Sequence, residues 1–150
     1  MAITRNTVDV YRMSPAKWAG IVLLALFFIG GGVSHFLYTN DFVAIVPPWM
    51  PYPHETVLAT GVLELLFAVL LFVKKARPIA SLWIAAYCLA VLPANFHMLQ
   101  NNIPMFGQTF PPAVLYARIA LQAGVIALAL WAANGKAHLA RYGLSGLFRG

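Results

Sequence analysis

Residues 55–73, ETVLATGVLELLFAVLLFV, form a nineteen-residue stretch, almost wholly apolar, that ends abruptly at Lys74 and Lys75. As a helix rising about 1.5 Å per residue it matches a hydrocarbon layer about 30 Å thick, so it reads as a bilayer-crossing segment. At its centre stands Glu64. An ionised side chain there costs roughly 2.5 to 3.5 kcal/mol on insertion scales, offsetting the gain from about five or more neighbouring Leu, Val and Phe residues. Any fold that keeps this helix in lipid must therefore bring other helices to meet the carboxyl group.

The chain has the material to do so. Of its 150 residues 61% are hydrophobic and 9% charged, which places it outside the soluble and disordered classes. Spans are expected at residues 18–38, 55–73, 79–98 and 113–133, giving an all-α four-helix transmembrane bundle in one domain, without a solenoid repeat. The first apolar run lies behind a polar stretch and is longer than a signal-peptide core, so it is expected to be retained. The net charge of +6 does not point to nucleic acid, because nine of the ten Lys and Arg residues sit in the tails, 1–17 and 134–150, or in the turn after the second span. By the positive-inside rule both termini and that turn are cytoplasmic, and the connections 40–54 and 100–112 face out. The lone cysteine, Cys88, excludes an intrachain disulfide and any CxxC motif, and with them thiol–disulfide exchange by this chain alone.

Within this frame a few residues stand out. Gly30, Gly31 and Gly32 leave a groove on the first span for close approach of a helix or ligand, and His35 follows one turn later. Pro47, Pro48, Pro51 and Pro53 deny residues 40–54 a regular helix and make them a stiff cap. Trp18, Tyr38, Trp49 and Tyr52 fit interfacial anchors, and the tail from Lys136 to Arg149 fits a basic interfacial segment. Pro93 is expected to bend or loosen the end of the third span, where Asn95 and His97 lie. Arg118 and Gln122, four residues apart, share one face of the fourth span.

Counting about 1.5 Å per residue from the inner ends puts Glu64 and Gln122 near mid-bilayer, with His35, Asn95 and Arg118 roughly 25 Å up and His97 at the rim. That placement predicts a polar pocket opening outward beneath the proline-rich connections. Arg118, one to two turns above Glu64, is the expected partner of the carboxylate; the competing reading is that these groups are interhelical hydrogen-bond glue, worth about 1 kcal/mol each. Haem or metal ligation by His35 and His97, with Glu64 as a third ligand, matches no spacing such as HExxH, and rim histidines more often form hydrogen bonds. Asn95 and His97 point about 200° apart on a regular helix, so both face the pocket only if Pro93 distorts the turn.

His35 and Phe36, the segment VPPWMP at 46–51, Gly61 and Glu64, the run Pro93, Ala94, Asn95, and Arg118 with Gln122 together resemble the DoxX-like family of small bacterial four-helix membrane proteins. The resemblance covers roughly residues 18–133. It implies a multi-pass protein of the bacterial inner membrane associated with membrane oxidoreductase assemblies, including quinone-coupled oxidation of sulfur compounds. A chain whose one cysteine is Cys88 departs from covalent sulfur chemistry.

The function expected from these residues is binding of a small, partly apolar or redox molecule, a quinone being the expected cofactor class. Arg118, Asn95, Gln122 and His97 would hold the ligand, and Glu64 and His35 would handle protons. A non-catalytic accessory subunit or assembly factor, docking a protein partner or second copy on the glycine face of the first span, is the main alternative. A small-solute carrier is the third.

Overall fold

A computed structural model describes residues 13–143. The expected readings of residues 1–12 and 144–150 as basic tail lie outside the described residues. Four helices are long and apolar enough to cross a membrane: α1 (Pro15–Leu37), α3 (Pro53–Leu70), α4 (Arg77–Asn101) and α5 (Pro112–Ala132). Two short ones join them, α2 (Thr39–Ile45) and α6 (Gly135–Tyr142), and no strand is formed among the described residues. The all-α four-helix bundle of a multi-pass membrane protein is thus the architecture.

Each long helix begins with a proline in its first turn, where the missing N–H costs no intrahelical bond. Ser14 caps α1 by accepting the Lys17 backbone N–H at 3.2 Å. Asn102, which ends α4, and Asn134, which opens α6, take the left-handed conformation that asparagine tolerates better than most residues. The spans start one to three residues before the expected limits; α1, α3 and α5 end at Leu37, Leu70 and Ala132, short of them, and α4 runs on to Asn101. One expectation needs correction. The outer connection is helical over Thr39–Ile45, because all four of its prolines come later and leave that turn its donors. Pro93 lies inside α4, yet the helix continues for two further turns to Asn101.

The helices pack as a ring in the order α3, α1, α5, α4, in which α3 and α4 approach least and the diagonal pair α3 and α5 brings no Cα atoms within 8 Å. α1 and α3 meet at glycines: a Cβ on Gly32 would lie 2.9 Å from the Gly61 carbonyl oxygen, and one on Gly61 would lie 3.2 Å from that of Gly32. Backbones can approach this closely only where side chains are absent.

The end of the bundle that carries the basic turn is tied together by polar contacts. Arg77 donates through Nε to the Leu71 carbonyl at 2.6 Å and stacks over the Trp18 ring at 4.6 Å, so this basic residue caps the open carbonyls of α3 rather than facing solvent. Lys17 hydrogen-bonds Asn134, joining the start of α1 to the end of α5. An apolar cluster of Ile21, Leu24, Phe28, Phe67, Leu71, Ile84 and Ala129 fills this half. A second, smaller cluster of Ile45, Met98, Met105 and Leu115 fills the opposite end. The polar residues lie between the two.

Candidate functional site

Glu64 projects inward from α3 and is 8% exposed. Gly31 on α1 makes room for it, since a Cβ there would overlap Oε2. The carboxylate is met first by Tyr87 of α4, whose hydroxyl donates to Oε1 at 2.6 Å. Tyr87 is in turn held edge-on by Phe28 and Phe67. On the other side His35 Nδ1 lies 3.5 Å from Oε2, but it is only 2.8 Å from the Gly31 carbonyl oxygen. A carbonyl only accepts, so Nδ1 carries the hydrogen and spends it mainly on Gly31. Oε2 has no hydrogen-bond partner.

The expected Glu64–Arg118 pair is not formed. Glu64 sits on α3 and Arg118 on α5, which lie diagonally across the bundle with no Cα atoms within 8 Å of each other. Arg118 instead donates to Asn95 Oδ1 at 3.3 Å and makes a weak contact with Met105 Sδ at 3.7 Å. Gln122 donates through Nε2 to the Cys88 carbonyl at 3.3 Å, while its Oε1 is buried without a partner.

Between these groups lies a cavity of about 320 Å³, whose walls include Glu64, His35, Tyr87, Asn95, Arg118 and Gln122. Five of the six residues singled out in the sequence are therefore gathered around one space. His97 is not among its walls: it points away from Asn95, as a regular helix dictates, and its Nδ1 donates to the Ile45 carbonyl at 3.0 Å. It pins α2 to α4 instead of touching the cavity. Among the described residues no three His, Cys, Asp or Glu side chains are grouped as a metal site.

The roof is built by both connections, as their position suggested. Phe42 of α2 stacks on His35 with ring centroids 4.0 Å apart, and Pro47 and Met50 from the VPPWMP segment also line the space. Phe106 contributes from the other connection, held against Tyr38 at 4.8 Å. Its left-handed backbone, φ 56°, costs roughly 1–2 kcal/mol for a residue with a Cβ and is followed by Gly107 in the same conformation. A second, almost wholly apolar hollow of about 740 Å³ runs between α3 and α4 from Lys75 to Ala90. Tyr87 and Ala90 belong to the walls of both spaces.

The residue that reading the sequence missed is Tyr87. Its signal was depth: ten residues into α4 puts it about 15 Å along the axis, level with Glu64 and far from the interfaces where tyrosines usually anchor. A mid-membrane phenol needs a partner, and Glu64 is the acceptor at that level.

Fold and site together define a multi-pass membrane protein with a largely apolar cavity, carrying a few polar groups, within a four-helix bundle. Residues 24–133 match the family described as a domain of unknown function (DUF8561), and the chain belongs to that family. The matched region contains every wall residue of the cavity named above. No curated protein and no solved structure matches the chain.

Proposed function

We propose that this protein binds a small ring-bearing molecule with an apolar tail, of the quinone class, inside the bundle, and serves as the membrane-embedded component of an oxidoreductase system. The observation that carries the reading is the cavity itself. It is apolar over most of its wall, has a few convergent polar groups, and adjoins an apolar cleft that opens towards lipid. The head of such a ligand would lie beside Glu64, Tyr87 and Gln122, and its tail would leave past Ala90 between α3 and α4. Since a void of about 150 Å³ accommodates benzene, one of about 320 Å³ suits a substituted ring rather than a lipid headgroup or a fused polycycle.

Glu64 would exchange a proton with the bound ring, Tyr87 would hold the carboxyl group in place, and Arg118 and Asn95 would orient the far side of the ligand. The DoxX-like motifs support the redox association, and placement in a bacterial inner membrane belongs to the same proposal. Lys17, Lys74, Lys75 and Lys136 gather at one end of the bundle, which supports a cytoplasmic location for that end and a cavity nearer the outer face. The accessory-subunit alternative relied on the glycine face of the first span, of which Gly32 is used against Gly61 and Gly31 against Glu64, leaving Gly30 open.

The test is gentle purification into lipid nanodiscs, followed by absorption and mass spectrometry of what travels with the chain. A copurifying ring compound, lost when Val91→Trp fills the cavity, is the expected result. Phospholipid alone, together with no uptake of added short-chain quinones, would remove the proposal.

A further inference from the structure

Arg118 is a cation inside the bundle with no anion to meet it. Its guanidinium, half-buried on a wall of the cavity, stays protonated at any pH a cell reaches. It makes a 3.3 Å hydrogen bond to Asn95 Oδ1 and a 3.7 Å approach to Met105 Sδ, the first a long bond to a neutral acceptor and the second a weak one to a thioether. Among the described residues no carboxylate forms an ion pair with it. Glu64 belongs to α3, diagonally across the bundle, and Asp41 and Glu55 are not walls of the cavity. Nor is the fork aimed at water, since Asn95 holds it towards α4 and it lies against Met105, which is fully buried. Because Asn95 gives Oδ1 to Arg118, its Nδ2 remains as a further donor on the same wall. A cation in apolar surroundings is costly unless a counter-charge meets it, and here the space in front of it is where that charge can come from.

We infer that the cavity's ligand is an acid, with an oxygen on its ring that is ionised when bound and that sits against Arg118 with Asn95 beside it. This rests on the proposed function and names the ligand class within it: an acidic hydroxyquinone rather than a neutral quinone. The hydroxyl of such a ring is a vinylogous carboxylic acid, and its anion sets a charged oxygen next to a ring carbonyl. Those are two adjacent acceptors on one edge, the arrangement a guanidinium fork takes best. A neutral quinone carbonyl would accept a hydrogen bond but leave the charge of Arg118 unanswered, and a hydrogen bond between charged partners is roughly twice as strong as one between neutral groups. The opposite edge of the ring is left to the Glu64 side, where the proposed proton exchange takes place. Charge, more than shape, is what the Arg118 wall selects.

The experiment compares two ring probes on the unaltered full chain in phosphatidylcholine nanodiscs, by calorimetry at mildly alkaline pH against empty discs. One is 2-hydroxy-3,5,6-trimethyl-1,4-benzoquinone, which is ionised there, and the other its methyl ether, which cannot ionise. The acid is expected to bind at least about tenfold more tightly, the worth of a hydrogen bond to a charged group. It should also keep the visible colour of its anion as the pH is lowered to where the same probe in empty discs has lost it. Arg118→Gln should erase both differences, and Arg118→Lys, which keeps the charge, should restore the preference in part. Equal affinities, tighter binding of the ether, or a preference for the acid that survives Arg118→Gln would overturn the acid inference while leaving a ring-binding cavity. No binding by either probe would overturn both.

Discussion

Removing the Tyr87 hydroxyl should expose how much of the bundle's stability runs through Glu64. Tyr87→Phe keeps the ring against Phe28 and Phe67 and deletes only the donor 2.6 Å from Oε1. Since Oε2 already has no partner, the variant leaves both carboxylate oxygens of a buried group without a protein donor. An unpaired buried acceptor costs about 1–3 kcal/mol, more if charged, whereas interhelical hydrogen bonds in membranes average about 0.6 and reach about 1.7 kcal/mol. The short distance and the burial place this one at the upper end, at about 1.5 kcal/mol. The assay is a double-mutant cycle of Tyr87→Phe and Glu64→Leu, read by reversible unfolding in mixed SDS micelles. Once the carboxyl group is gone, loss of the hydroxyl should cost almost nothing, so the coupling should approach the full 1.5 kcal/mol. Additive single effects, within about 0.3 kcal/mol, would refute the hydrogen bond and with it the assignment of Tyr87 as the holder of Glu64.

Other substitutions separate packing from chemistry. Gly61→Ala would place a Cβ 2.8 Å from that of His35 and force α1 and α3 apart, with an expected loss of about 1–3 kcal/mol in the same unfolding assay. Gly30→Ala, with nothing within 4 Å, should be neutral or stabilise by up to about 1 kcal/mol through helix propensity, and an equal loss at both sites would contradict the packing described. Arg77→Lys keeps the charge but not the fork that caps Leu71 and stacks on Trp18, so it should destabilise by about 1–3 kcal/mol; no change would mean that only the charge matters.

Much of this structure can be read in the residues because the membrane makes a few signals strong. Apolar runs of the right length between basic or proline-rich punctuation give the four helices, and the height of a polar residue within its run gives the layer in which it lies. Direction around the helix axis is harder. Height alone suggested that Arg118 would pair with Glu64, but which helices are adjacent and which are diagonal is settled by glycine contacts such as Gly32 with Gly61, which no single-chain pattern fixes. Tyr87 was overlooked for the opposite reason. Tyrosine is commonplace at membrane interfaces, and only its depth distinguishes one that supports a buried acid. The helix at Thr39–Ile45 was hidden by four prolines that all lie beyond its end.

The competing account, in which these polar side chains serve only to glue helices together, can be weighed by magnitude. Glue requires that the groups meet one another and that the helices close around them. Here Glu64 and Arg118 do not meet, Oε2 and Gln122 Oε1 are left over, and a space of about 320 Å³ separates them. At about 24 cal/mol per Å³, holding such a volume open and unfilled would cost on the order of 8 kcal/mol. The bonds around it, from Tyr87 to Glu64, Arg118 to Asn95 and Gln122 to Cys88, would return about 0.6 to 1.7 kcal/mol each, or roughly 2 to 5 kcal/mol together. A bundle selected for cohesion alone would gain by collapsing the space with larger side chains at Ala90 or Val91. That it keeps a small residue, Ala90, between the cavity and the apolar cleft is understandable if something occupies the space, and costly if nothing does.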